Sequence, residues 1–130
     1  MSFANYWENE LLDHIMGKGA YTPPTIYVGL STADPGDDAS GLAEPAGGGY
    51  ARVTTAAGDW DAAASGLIDN ANAITFPTAT GSWGTVTHVG LFDAASGGNL
   101  LASGALSVSK AIGVGDTAEF QAGDLDISLD

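Results

Sequence analysis

Residues 84–107 read Gly-Thr-Val-Thr-His-Val-Gly-Leu-Phe-Asp, then Ala-Ala-Ser-Gly-Gly, then Asn-Leu-Leu-Ala-Ser-Gly-Ala-Leu-Ser. Two apolar runs flank a short connection of small residues and paired glycines, which is typical of an antiparallel hairpin. Strand alternation places Val89 and Leu91 on one face of this central hairpin and Val86 and Phe92 on the other. Because neither face is purely polar, we predict that the hairpin lies between two layers.

Short β-type runs recur along the rest of the chain and predict its fold class. They cover residues 25–31, 50–55, 73–76, 117–120 and 124–130. In the last run Leu125, Ile127 and Leu129 alternate with polar residues, so we expect these three side chains to point inward and the carboxylates, Asp130 included, outward. Six to eight short antiparallel strands in 130 residues predict a mainly β fold, an antiparallel β-sandwich with one N-terminal α-helix, in a single domain over residues 1–130. A small barrel is the alternative.

The N-terminal segment is the one convincing helix. Within residues 3–16, Trp7, Leu11 and Ile15 recur at four-residue steps and therefore align on one helical face. Gly17 supplies a C-terminal stop. Packing within the same subunit is the expectation for Leu11, Leu12 and Ile15.

Docking on a partner is the alternative role for this helix, because three aromatic residues near a terminus exceed what a frayed end needs. We also expect the long segment 32–49, which lacks apolar periodicity, to form an exposed loop that is functional or mobile. The candidate interface residues are Phe3, Tyr6, Trp7, Leu11, Tyr50 and Trp60.

Composition excludes several classes of protein. Sixteen acidic residues face only Lys18, Arg52 and Lys110, giving a formal net charge of -13, which disfavours binding to nucleic acid. Cysteine is absent, so no disulfide framework or thiolate metal site is available. No apolar run is long enough for a membrane span and no secretion signal is evident, so we expect a soluble protein made in the cytoplasm.

Catalytic and metal-binding patterns are weak. The two histidines, His14 and His88, belong to no recognisable nucleophile motif, and His88 is predicted to be a hydrogen-bonded structural residue. Oxygen-rich segments at 34–38 and 59–61 could offer calcium ligands, but neither has the spacing of a calcium loop. We therefore predict that these carboxylates cap turns. No cofactor is predicted. The lone Arg52 is expected to pair with a carboxylate.

Five segments occur in an order that resembles a known family. They are Asn-Tyr-Trp-Glu-Asn-Glu-Leu-Leu-Asp-His at 5–14, Pro-Thr-Ile-Tyr-Val-Gly-Leu-Ser-Thr-Ala-Asp-Pro at 24–35, Gly-Gly-Gly-Tyr-Ala-Arg at 47–52, Trp-Gly-Thr-Val-Thr-His-Val-Gly-Leu-Phe-Asp at 83–93 and Ala-Gly-Asp-Leu at 122–125. Their succession resembles small tailed-bacteriophage virion proteins that are labelled tail fibre or head decoration proteins. The resemblance implies a repeated, non-enzymatic virion component without catalytic residues.

The first functional hypothesis is a capsid decoration (cement) protein, a homo-oligomer that binds the major capsid protein on the outer face of the mature head. The alternative is a tail or tail-fibre component with tail proteins as partners. A carbohydrate-binding module, with Trp60 or Trp83 exposed on a shallow face, is the alternative from a different class. A small hydrolase would need clustered acids with raised pKa values.

Overall fold

Strands dominate the computed structural model of the chain, which describes residues 1–129. In this range there are nine strands, six of them only two or three residues long, one α-helix and one short 3-10 turn. In chain order they are β1 (Ser2–Phe3), α1 (Asn5–Ile15), β2 (Tyr27–Ser31), β3 (Val53–Thr54), the 3-10 turn (Ala57–Asp59), β4 (Leu67–Asp69), β5 (Ile74–Thr75), β6 (Gly84–Phe92), β7 (Leu100–Ile112), β8 (Glu119–Phe120) and β9 (Asp126–Ser128).

All strand pairs are antiparallel, and the predicted hairpin lies at their centre. Strands β6 and β7 form the middle of a five-stranded sheet with the order β1-β7-β6-β2-β3, while β4 pairs with β9 and β5 with β8 in two separate ribbons. The main core lies between this sheet and the two ribbons. It includes Val28, Leu30, Val89, Leu91 and Leu101 from the sheet and Ile74, Phe76, Leu125 and Ile127 from the ribbon side. This sandwich-like, mainly antiparallel β architecture with an N-terminal helix confirms the predicted fold class.

The second face of the hairpin is also covered, which explains why neither face consists mainly of polar residues. Phe92 and Leu100 pack there with Ala4, and the partly buried Ala39 and Leu42 of the long loop close over them. The composition of segment 32–49 predicts an exposed loop. In the structure the loop instead forms a layer of the fold. It contains no strand or helix, yet it carries apolar side chains to the outer face of the sheet.

A register shift corrects the predicted alternation in the hairpin. Val86 was expected opposite Val89 and Leu91, but it lies in the same core cluster as both. Because Val86 pairs with Lys110 while His88 pairs with Ala105, β7 carries residues 106–109 opposite a single residue of β6. The ladder is therefore irregular beside Val86, where the simple alternation that the prediction assumed does not hold.

The helix is shorter than predicted at its N-terminal end. Phe3 belongs to β1, which pairs with β7, so α1 begins only at Asn5 with Ala4 as its N-cap. The backbone N–H of Ala4 donates to the carbonyl oxygen of Leu101 at 2.8 Å and thereby holds the start of the helix against the sheet. Gly17, at φ 73°, ends the helix as predicted.

The final strand follows its predicted alternation only in part. Leu125 and Ile127 are buried, as expected, whereas Leu129 is 53% exposed. The reason is that β9 ends at Ser128, so Leu129 lies beyond the ribbon that would cover it. Asp130, which was expected to point outward, lies outside the described residues.

Candidate interaction surfaces

The aromatic residues at the N-terminus pack within the chain itself. Phe3 and Trp7 stack with their ring centroids 4.4 Å apart. Both rings, together with Tyr6, are partly buried against the main core. The stacking of Trp7 on Phe3 of β1 therefore accounts for much of this aromatic cluster within the chain. A role for these three residues in binding a partner stays a prediction.

The C-terminal half of α1 carries an exposed apolar patch. Leu12 is 60% exposed, Ile15 65% and Met16 73%, and we call these three residues the helix patch. The expectation that Leu12 and Ile15 pack on their own core is wrong, and Leu11 is only partly buried. Among the strands, β7 and β1, which directly precedes the helix, make the main contacts with α1.

The geometry of the helix makes the patch one continuous surface. Ile15, the last residue of α1, and Met16, its C-cap, follow Leu12 by three and four residues, a spacing that places side chains side by side on a helix. Large apolar side chains that gather on one exposed face are a common mark of an interaction site. The apolar periodicity of the sequence predicts that the helix has an apolar face. It does not show whether that face packs on the core of the same chain or on another protein.

Tyr50 belongs to a buried polar network. Arg52 donates to the Glu44 carboxylate twice, from Nε to Oε1 at 2.9 Å and from Nη2 to Oε2 at 2.7 Å. The hydroxyl of Tyr50 donates to Glu44 Oε1 at 2.7 Å and accepts the backbone N–H of Leu30 at 2.9 Å. The guanidinium carbon of Arg52 also lies 3.6 Å from the centre of the Phe92 ring. Arg52 is thus the structural pairing residue that the sequence predicted.

The same network joins three separate parts of the chain. Arg52 Nη1 donates to the carbonyl oxygens of Ala94 at 2.7 Å and Gly97 at 2.9 Å, both in the turn between β6 and β7. Because Glu44 comes from the long loop, the guanidinium holds that loop and the hairpin turn in one place. Its side chain is only 2% exposed, so these contacts are made largely out of water.

The surroundings of the network shift two pKa values. Burial alone would raise the pKa of Glu44, but the hydrogen bonds from Arg52 and Tyr50 and the nearby positive charge hold it below its usual value. Burial raises the pKa of Tyr50 far above its ordinary value, and the neighbouring carboxylate adds to the effect. The site therefore holds an ionised carboxylate and a neutral phenol at neutral pH.

Trp83 is not available as a platform for a sugar ring. Trp83 is 3% exposed, and its Nε1 donates to the carbonyl oxygen of Gly48 at 2.7 Å. Its exposure on a shallow face, which a carbohydrate-binding module would require, is contradicted. Trp60 is partly buried against the main core, and its Nε1 donates to Thr55 Oγ1 at 3.0 Å. Its predicted part in an interface stays untested.

The acidic loops use their carboxylates to close turns. Asp34 accepts the backbone N–H of Gly36, and Asp38 accepts that of Ser40, at 2.9 and 3.0 Å. Asp59 accepts the backbone N–H of Ala56 at 2.9 Å. Within residues 1–129, no group of three or more His, Cys, Asp or Glu side chains is placed to hold a metal ion.

His88 lies in a structural setting. Its Nδ1 is 2.8 Å from Thr87 Oγ1, and its Nε2 is 3.9 Å from Asp34 Oδ1. His14 accepts the backbone N–H of Tyr21 through Nδ1 at 3.1 Å, which ties the segment after α1 back onto the helix. These contacts agree with the predicted structural role of His88.

Comparison with known proteins gives a match along the described fold. A family model described as podophage GP4 fiber I protein gp80 matches residues 2–128. The chain belongs to this family. No curated protein matches the chain. The resemblance to phage virion proteins is thereby confirmed, and the protein is a structural component of a virion.

Membership in the fiber I family distinguishes between the two predicted locations of the protein, the tail fibre and the outer face of the head. It supports the tail-fibre alternative, whereas head decoration has no support beyond the sequence resemblance. Across residues 1–129, no helix has the length and apolar character needed to cross a membrane.

Proposed function

We propose that the protein is a non-enzymatic building block of a virion fibre and that its partners are proteins of the phage tail. The observation that carries this proposal is the match of a podophage fiber family model to residues 2–128. The polar clusters described above add support, because their hydrogen bonds hold loops and turns together. A non-enzymatic role also fits a chain whose two histidines both make structural contacts.

The helix patch is the surface that we assign to the contact with a neighbouring tail protein. Complete burial of a large aliphatic side chain stabilises a contact by about 1.5–3 kcal/mol, so three such residues offer a substantial apolar anchor. Carboxylates on the same helix, Glu8 and Asp13 among them, are exposed at the border of the patch. A tail protein with an apolar groove bordered by lysine or arginine would complement this face.

Immunogold labelling of intact virions tests the placement directly. Antibody raised against the purified protein should decorate the tail region and leave the heads unlabelled. Dense labelling over the heads would instead establish decoration of the capsid, with the major capsid protein as partner, and would overturn the fibre proposal. Phage that lack the protein provide the background control.

The contribution of the helix patch is tested by a double variant, Leu12→Ser with Ile15→Ser. Because both side chains are exposed, folding stability should stay within about 0.5 kcal/mol of the parent. Incorporation into virions, measured by quantitative blotting, should fall sharply. The matched control is Val114→Ser, which removes a side chain that is 75% exposed on a loop. Equal incorporation of the double variant and the control would refute the assignment.

Self-association stays a prediction that light scattering can check. If the purified chain is an oligomer and the double variant is a monomer, the helix patch joins copies of this chain and does not bind a tail protein. If the oligomer persists in the double variant, the copies associate through another surface.

A further inference from the structure

A second surface, distant from the proposed docking helix in sequence, is a cleft of about 810 Å³ beside β7. It lies between the second half of that strand and the segment that contains β8 and the start of β9. Leu106, Val108 and Phe120 contribute apolar side chains to its lining. Val108 is 70% exposed, while Leu106 and Phe120 are partly buried against the core. The volume lies within the range of about 300–1,000 Å³ that is typical of ligand sites.

The bulge in β7 creates one wall of this cleft. Residues 106–109 stand opposite a single residue of β6, so this part of β7 lies outside the regular ladder and carries Leu106 and Val108 with it. On its outer edge, β7 pairs with β1 only at Ala102 and Ser103. No other strand in the described part of the chain continues that edge. The wall therefore offers backbone groups as well as apolar side chains, which suits an extended segment.

The border of the cleft is strongly acidic. Four exposed carboxylates line it, and Lys110 carries the one cationic side chain among its lining residues. The carboxylates are Asp116, Glu119, Asp124 and Asp126. Asp116 and Asp124 also accept backbone N–H groups of nearby turns, which fixes their positions, whereas the side chain of Asp126 makes no hydrogen bond within the described chain. The carboxylates favour a cationic occupant.

We propose that this cleft binds an extended segment of a different protein in which apolar residues alternate with lysine or arginine. The apolar side chains lie against Leu106, Val108 and Phe120, and the cationic side chains meet the carboxylates at the border. A second copy of this chain is a poor occupant, because its three cations include the buried Arg52. The proposal does not depend on the placement of the protein in the tail.

A fluorescently labelled peptide of alternating valine and lysine is the probe. About eight residues give a length near 26 Å, at about 3.3 Å per residue. Fluorescence anisotropy measures its binding to the full chain, which is prepared without an N-terminal tag because Met1 also lines the cleft. A peptide of alternating serine and lysine has the same charge but lacks the apolar side chains. It should bind about tenfold more weakly or worse, since each buried valine contributes.

Charge reversal locates the binding surface. The double variant Glu119→Lys with Asp126→Lys should weaken binding of the valine–lysine peptide by about tenfold or more, because favourable contacts become repulsive. The matched control, Asp38→Lys with Asp61→Lys, makes the same change of charge at exposed carboxylates that line neither the cleft nor the helix patch, and should leave binding within about twofold. Circular dichroism establishes that both variants are folded.

Three outcomes would overturn the proposal. The first is no saturable binding of the valine–lysine peptide up to millimolar concentration. The second is equal binding of the serine–lysine peptide, which would mean attraction to the overall negative charge alone. The third is equal loss of binding in the two double variants. The immunogold experiment is independent of all three, so the failure of either proposal can be recognised separately.

Discussion

Replacing Arg52 with methionine is expected to destabilise the fold by about 3 kcal/mol. The guanidinium makes four hydrogen bonds: two to the Glu44 carboxylate and two to the carbonyl oxygens of Ala94 and Gly97. Methionine has a similar length and can keep part of the contact with the Phe92 ring. It leaves the Glu44 carboxylate with only the Tyr50 hydroxyl as donor and leaves two carbonyl groups without the Arg52 donor.

The size of the effect follows from the burial of the two partners. Removing one member of a buried ion pair typically costs about 3–5 kcal/mol, because the other charge is left uncompensated. The side chain of Glu44 is 23% exposed, so water can rehydrate it in part, and we expect the lower end of that range. Since small domains are stable by about 5–15 kcal/mol, the variant should still fold.

Urea denaturation, followed by tryptophan fluorescence and by circular dichroism, provides the measurement. The exposed cation Lys18 supplies the matched control, and Lys18→Met should change the free energy of unfolding by no more than about 0.5 kcal/mol. Adding Glu44→Gln to Arg52→Met removes the uncompensated charge and should restore about 1–2 kcal/mol. A loss below about 1 kcal/mol for Arg52→Met, or a further loss in the double variant, would refute this account.

Two more predictions concern the same region of the fold. The pKa of Glu44 is lower in the folded chain than in the unfolded one, so its stabilising effect is complete above the ordinary carboxyl pKa and is lost as the pH falls through the lowered value. Urea titrations at several acidic pH values should therefore show a shallower loss of stability for Glu44→Gln than for the parent, and an identical slope would contradict the assignment. A Cβ added at Gly98, which has φ 68°, would lie within 2.6 Å of Asp93 and Ala94, whereas one added at Gly97, with φ 61°, meets nothing within 4 Å. In thermal unfolding, Gly98→Ala should cost about 1–3 kcal/mol more than Gly97→Ala, and equal losses would show that backbone strain alone decides both.

The sequence predicts the hairpin and the fold class because both depend on local patterns. Paired glycines between two apolar runs, and short β-type runs separated by turn residues, indicate antiparallel strands without reference to distant residues. The pairing of Arg52 was also predictable, since cations are scarce in this acidic chain. The identity of its partner was not, because Glu44 reaches it only through the path of the long loop.

Other features depend on contacts that a local pattern does not contain. The bulge in β7 beside Val86 is one of them, because the residue types within 106–109 do not predict it. The exposure of Leu12 and Ile15 follows from the position of the helix at the edge of the sheet, although their spacing also fits a buried face. The acidic cleft joins β7 to residues near the C-terminal end of the described chain, so its members are neighbours only after folding.

The way in which the long loop is held has a consequence for the resistance of the protein to proteolysis. Loop 32–49 has no helix or strand, but the backbone N–H of Thr32 donates to Ala43, Glu44 pairs with Arg52, and Gly48 accepts the indole N–H of Trp83. Local opening of the loop must break contacts that also support the core. Its anchored amides should therefore exchange with solvent as slowly as those of the hairpin. Although the composition of loop 32–49 is typical of a flexible segment, the loop should therefore be a poor substrate for proteases. Such resistance suits a virion component outside the host cell.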